Sequence, residues 1–228
     1  MKKIIALFGC VLLVTSCVNE TQVNNPAFQA KLNDANWKSQ ETHLSIGVNG
    51  GLIITALRGN EKLVLTTSSA NLGTYLLGTT NQANFGTYTL KTGNSTDVFD
   101  TDIFPGPAFL TRKLTSGNAY SASTSALTTG GSGAGLVFKV TVNSLGAIVT
   151  DTIKARGANY VAGDIVTLDG GNNNATFRVV NTQQSNGEIV IQKVENGTYT
   201  GTFKLNAVDD NGEVITFSQG VFYRIPVN

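Results

Sequence analysis

Two segments of this chain, forty residues apart, carry the same landmarks in the same order. Gly117-Asn-Ala-Tyr120 aligns with Gly157-Ala-Asn-Tyr160, and Gly130-Gly131 with Gly170-Gly171. After a one-residue gap, Phe138-Lys-Val140 aligns with Phe177-Arg-Val179. The repeat narrows the fold sharply, because neither copy is long enough to bury a sheet face by itself and the two must pack together. Two copies are too few for a solenoid, so one compact module, a small sandwich or barrel built from two related β units, is expected over 112–181. Between the copies, Leu136 to Val142 and Ala147 to Ile153 predict a strand pair across Asn143-Ser-Leu-Gly146.

The remainder alternates apolar and polar residues between turn signals. Leu44 to Val48 and Gly51 to Leu57 flank Asn49-Gly50 and predict a β-hairpin. Lys62 to Thr67 and Gly73 to Leu77 continue the meander. Near the other end, Gly187 to Val194, Thr198 to Val208 and Val214 to Ile225 predict further strands, with a turn at Asp209-Asp-Asn-Gly212. Past the first seventeen residues, no window carries a helical apolar stripe. The 25 glycines and the 14% of charged residues suit short strands and tight turns. The expected fold is all-β: a β-sandwich or barrel-like domain formed by 26–111 together with 182–228, into which the module at 112–181 is inserted.

The beginning of the chain reads as an address. Lys2 and Lys3 precede an apolar run, Ile4 to Val14, broken only by Gly9. The run is too short for a hydrocarbon core that needs about 20 residues, and fits a secretory signal peptide over 1–16. Val14-Thr-Ser-Cys17 resembles a bacterial lipobox, which implies an acylated Cys17 as mature N-terminus and a polar tether over 17–25. Each buried acyl CH₂ adds about 0.8 kcal/mol, so several chains on one cysteine anchor durably. Cleavage removes Cys10 and acylation uses Cys17, leaving no disulfide. It also removes Lys2 and Lys3, turning the net charge from +1 to −1, which excludes a basic nucleic-acid binder. The expected location is the outer membrane. Val18-Asn-Glu20 offers a single acid, which leaves the periplasmic and cell-surface sides both open.

Two resemblances add to this reading. Gly130-Gly-Ser-Gly-Ala-Gly135, Gly146-Ala-Ile148 and Gly157-Ala-Asn-Tyr-Val-Ala-Gly-Asp164 make the module resemble glycine-rich β repeats of phage tail-fibre and virion structural proteins. Where those repeats carry Gly-x-Gly-Tyr, this chain has Gly157-Ala-Asn-Tyr160, one glycine short. The flanks resemble a domain of unknown function in small Bacteroidota lipoproteins. The matching pieces are Phe28-x-Ala30 with Trp37, Leu72-Gly-Thr-Tyr75-x-Leu77-Gly78, and Gly201-Thr-Phe with Gly220-Val-Phe and Ile225. Neither resemblance implies an activity or a cofactor.

Catalytic chemistry has little to work with. His43 is the only histidine and stands in an alternating strand, which favours a surface residue over a general base. One histidine without a free thiol does not supply a usual zinc set. Gly130 to Gly135 lacks the Lys-Ser/Thr of a phosphate loop and leads into a strand. Asp97, Asp100 and Asp102 crowd one loop without the EF-hand spacing, and Asp209, Asp210 and Glu213 flank a turn. Asp164 is expected to cap backbone amides. Asp151-Thr152-Ile153 resembles a short O-glycosylation motif of Bacteroidota exported proteins.

Binding residues are sought among the aromatics and arginines. Trp37 is one such aromatic, and Tyr120 and Tyr160 are equivalent in the two repeats, with Arg112 and Arg156 near them. These four repeat residues are the candidate ligand-binding set, against a plainer account in which each tyrosine packs at a repeat turn. The expectation is a non-catalytic, lipid-anchored structural or binding protein with a glycan or protein partner. The alternative is a carbohydrate-active enzyme, with two acids about 5–9.5 Å apart in a cleft, or its sugar-binding accessory.

Overall fold

The computed structural model describes residues 27–228; the expected leader, Cys17 and the tether lie outside the described residues. Seventeen strands and no helix occur among the described residues. The first eight are β1 (Ala27–Leu32), β2 (Ala35–Lys38), β3 (Glu41–Ile46), β4 (Leu52–Arg58), β5 (Glu61–Thr66), β6 (Gly73–Leu77), β7 (Phe85–Thr92) and β8 (Ser95–Asp100). Six more follow: β9 (Ala108–Ser116), β10 (Ser123–Thr129), β11 (Ala134–Val142), β12 (Ile148–Ala158), β13 (Ile165–Leu168) and β14 (Ala175–Thr182). The last three are β15 (Gly187–Glu195), β16 (Thr198–Val208) and β17 (Val214–Pro226). The all-β, barrel-like expectation holds.

The first eight and last three strands form one curled antiparallel sheet in the order β2-β1-β17-β16-β8-β7-β5-β4-β3. It forks at β16, which pairs with β15 along most of its length and with β8 only at Val208↔Asp100, while β6 extends the β15 branch. Curling brings the end of the chain back to β3, where the Asn228 amide donates to the Leu44 carbonyl at 2.9 Å. Enclosed within is an aromatic core. Phe28 stacks on Phe203 at 4.9 Å, and Trp37 and Tyr88 meet Phe217 edge-on at 5.7 and 5.4 Å.

Within this sheet, β17 carries two bulges. Ala30 and Lys204 each face an extra residue around Gln219, and Thr200 faces Tyr223 and Arg224. Gln219 and Arg224 have φ of 52° and 51°, unusual for residues with a Cβ. Bulges of this kind bend a strand and increase its twist.

Strands β9–β14 form a second antiparallel sheet, in the order β12-β11-β10-β13-β14-β9, around their own core. Each repeat supplies three strands: β9, β10 and β11 from the first, β12, β13 and β14 from the second. The middle strands β10 and β13 pair at the centre, and each repeat's first strand pairs with the other repeat's last, β12 with β11 and β9 with β14. The ladders match residue for residue from Leu136 to Val140 and from Ala175 to Val179, after which β14 carries an extra residue at Val180. Phe177↔Lys113, Arg178↔Arg112 and Val179↔Thr111 correspond to Phe138↔Ile153, Lys139↔Thr152 and Val140↔Asp151, with a bulge in the same place in both. The equivalent Phe138 and Phe177 stack on each other at 4.6 Å in the middle. Backbone angles repeat too: φ is 58° and 62° at Gly117 and Gly157, and 60° and 63° at Ala119 and Asn159.

The tyrosines explain the exchange. Tyr120 of the first repeat plugs the glycine turn of the second, and Tyr160 of the second plugs that of the first. A Cβ on Gly171 would lie 2.7 Å from the Tyr120 ring, and one on Gly133 2.6 Å from the Tyr160 ring. Only glycine lets each ring sit so close. The barrel is left open along one seam, because β9 and β12 are the two ends of the sheet. Side chains cross it in both directions. Lys113 donates to the Ile148 and Val149 carbonyls at 2.8 and 3.1 Å, and Arg156 to those of Ala108 and Phe109 at 2.9 and 2.7 Å.

The two sheets join through residues 101–107 and 182–186. Gly106 and Tyr160 exchange backbone hydrogen bonds at 2.8 and 2.9 Å, and the Thr182 hydroxyl donates to the Phe104 carbonyl at 2.7 Å. Thr182 and Ser185 are buried there and bond to each other.

Candidate functional site

Three of the four repeat residues nominated from the sequence belong to the frame. Tyr120 and Tyr160 are 6% and 1% exposed, so neither offers its ring to a ligand. Tyr120 Oη accepts from the Asn174 and Ala175 amides at 2.9 Å each and donates to the Leu168 carbonyl at 3.1 Å. Tyr160 Oη accepts from the Leu136 amide at 3.3 Å. The plainer account of these tyrosines, packing at the repeat turns, describes their surroundings. Arg156 closes the barrel seam, and its guanidinium lies 4.9 Å from the centre of the Phe109 ring. Arg112 alone projects from the outer face.

Trp37 is likewise interior, at 1% exposure. A buried indole N–H needs an acceptor, and Trp37 Nε1 donates to Glu61 Oε2. Tyr88 Oη donates to the same oxygen at 3.0 Å. Burial first, then the hydrogen bond and charge of Glu61, push the Tyr88 phenol above its ordinary range. Arg58 lies 3.9 Å from the other Glu61 oxygen. Glu61 borders a depression of about 500 Å³ between the β4–β5 and β7–β8 turns, with Gln40, Arg58 and Lys91 also on its wall. Glu61 was not among the residues nominated from the sequence; its only signal there is a carboxylate directly after the Gly59-Asn60 turn.

The larger depression is a groove of about 950 Å³ on the face of the curled sheet turned away from the aromatic core. It crosses β2, β1, β17 and β16 where the Gln219 bulge bends them. Alternation sets its lining: Phe28, Ala30, Trp37 and Phe203 point inward, so Lys31, Lys38, Thr202 and Lys204 point out. Lys204 pairs with Glu188 at 3.0 Å. Among the described residues, Lys31 and Lys38 have no carboxylate within 4.0 Å. With Gln29, Asn36 and Gln219 beside them, the groove offers two free ammonium groups and several amides, a lining for a ligand rich in hydroxyl and carboxylate oxygens. Each depression has a single carboxylate on its wall, Glu61 or Glu188.

The remaining candidates are dispersed. His43 is exposed, with Glu41 at 2.7 Å and Asn228 at 3.2 Å as its partners. Asp100 accepts from the Thr87 hydroxyl at 2.6 Å and Asp102 from the Ile103 amide at 2.6 Å. Asp209 accepts from the Asn211 and Glu213 amides at 3.0 and 2.7 Å, organising its turn. Asp164 caps amides as expected: Oδ2 accepts from the Ser132 and Val161 amides at 3.1 and 3.0 Å. Among the described residues no three His, Cys, Asp or Glu side chains gather as a metal site would require.

No curated protein and no solved structure matches this chain. A family model does match, in two segments covering residues 24–118 and 114–226, which together span most of the chain. The two segments meet at the end of β9, on the first strand of the second sheet. The chain belongs to the family described as Domain of unknown function (DUF6252).

Proposed function

We propose that this protein is a non-catalytic, lipid-anchored module of the Gram-negative cell envelope, acylated at Cys17 and held at the outer membrane, that binds a ligand along its bulged sheet. The groove carries this reading. Its free lysines, Lys31 and Lys38, and its amides are laid over a rigid ladder, suiting recognition of an extended, acidic, hydroxyl-rich chain such as a uronate-containing glycan. The same groove would serve a sugar-binding accessory of a carbohydrate-active system. The leader with Lys2 and Lys3, the short apolar run and the lipobox-like Val14-Thr-Ser-Cys17 support the anchor. The likeness of the flanks to small Bacteroidota lipoproteins supports the same location. The likeness of 112–181 to phage tail-fibre repeats supports a rigid, structural second body.

Two measurements test this. Labelling cells with a palmitate analogue is expected to mark the wild type and not Cys17→Ala, which should leave the membrane fraction; a labelled variant overturns the anchor. Affinity electrophoresis through a polyuronate gel is expected to retard the wild type, and Lys31→Glu with Lys38→Glu to abolish the retardation. Equal mobility of the two proteins overturns the groove.

A further inference from the structure

The halves of the second sheet differ in chemistry where their backbones agree. The β11–β12 ladder sets Lys139 opposite Thr152, and the equivalent position of the β9–β14 ladder sets Arg178 opposite Arg112. Residues directly opposite in an antiparallel pair share a face, with Cβ atoms about 4.5–5.5 Å apart, and like charges placed so are destabilising. Nothing nearby offsets them. Among the described residues neither arginine lies within 4.0 Å of a carboxylate. Arg178 Nε is shielded from solvent and has no hydrogen-bond partner. The next residue in the row, across β13, is the exposed Ile165, where the other repeat has Ser125. An unpaired, partly desolvated guanidinium beside a second one is costly in the free protein and becomes favourable once an anion sits between them.

We infer that Arg112 and Arg178 form a binding site for a tetrahedral oxyanion, a phosphate or sulfate group held between two guanidinium forks. A guanidinium presents paired N–H donors that match such an anion bidentately. A carboxylate has two oxygens and fills one fork; a phosphate or sulfate has enough to fill both. The site lies on the second sheet, away from the lysine groove, so it stands or falls separately from the proposed function.

The test is thermal unfolding of the full chain in detergent, at constant ionic strength, with chloride exchanged for inorganic phosphate, for sulfate, or for a sugar phosphate monoester. A ligand that binds only the folded state raises the midpoint with concentration. The wild type is expected to gain a few degrees, saturating in the millimolar range. Arg112→Thr places on this half the residue its twin carries, so it should fold as well as the wild type in chloride and lose the gain. Arg178→Lys keeps the charge without the fork, and should weaken the apparent affinity at least tenfold. A larger gain with the monoester would assign the site to a group on a polymer, and a gain confined to the inorganic ions to a free anion; both sustain it. No anion-specific gain in the wild type, or one that survives Arg112→Thr and Arg178→Lys, overturns the site.

Discussion

The two halves of the second sheet share a backbone and little else. From Thr111 to Tyr120 and from Asp151 to Tyr160, exposed and buried positions alternate identically, yet only a few residues are the same. The shared ones are those that the backbone geometry demands. They are the glycine at positive φ and the tyrosine that plugs the other repeat's turn; beyond these stretches the phenylalanine at the centre is shared too. Outward-facing positions have drifted apart. Arg112 on β9 corresponds to Thr152 on β12, and Arg178 on β14 to Lys139 on β11. A handful of steric requirements therefore specifies this barrel, and the surface is free to become different on each side.

Removing the central ring from either half should give the largest effect. Phe138 and Phe177 are fully buried against each other, and Phe→Ala in a core costs about 3–5 kcal/mol. Phe138→Ala and Phe177→Ala are expected to lower the urea midpoint by similar amounts. Because the second sheet has its own core, hydrogen exchange should accelerate in β9–β14 while β1–β5 stays protected. A strong effect from one substitution and none from the other would break the equivalence of the halves.

The tyrosines sharpen the comparison, since their rings are equivalent and their hydroxyls are not. Tyr120→Phe leaves the amides of Asn174 and Ala175 without their acceptor, and a stranded buried donor costs about 1–3 kcal/mol. Tyr160→Phe gives up one long bond to Leu136, and about 0.5–1 kcal/mol is expected. Urea denaturation of the two variants side by side measures the difference; equal losses would mean that the two hydroxyls contribute alike, and the asymmetry of the plugs would fall.

Much of this frame was legible in the chain. The repeat, the hairpins and the pairing of β11 with β12 follow from apolar alternation and glycine spacing, which are local signals. The exchange of outer strands between repeats was not legible, because which strand a ladder recruits is decided by packing across forty residues. For the same reason Tyr120 and Tyr160 could be read as a platform: a spacing repeated along the chain does not say which way a ring points. The groove depends on Gln219 and Gly220, and an isolated glycine in a strand is the one available sign of a bulge. Arg178 gave no sign at all until the register set it opposite Arg112. Among the described residues, then, the sequence positions that shape the backbone were readable, and those that meet only through non-local pairing were not.

The smallest effect expected separates the two glycine turns by their chemistry. The turn at Gly170 is tied by amides: Asn118 Oδ1 accepts from Asn172 and Asn174 at 2.6 and 3.1 Å. The turn at Gly130 is tied by a carboxylate, since Asp164 Oδ2 also takes the Ser132 hydroxyl at 2.6 Å. Burial opposes the charged form of Asp164, but the hydrogen bonds from the Ser132 side chain and from the Val161 and Ser132 amides outweigh it and hold the carboxyl below its ordinary range. A carboxyl whose folded pKa lies below the unfolded value of about 3.9 contributes stability that is fully present above that value. That contribution fades as the pH falls through the folded pKa. The amide signals of Ser132 and Val161 should therefore titrate below about pH 4, while those of Asn172 and Asn174 stay still. Asp164→Asn keeps an acceptor and removes the titration, so its Ser132 signal should be flat over the same range. Titration of both turns together would place the pH-sensitive group in the shared core, where both repeats would feel it.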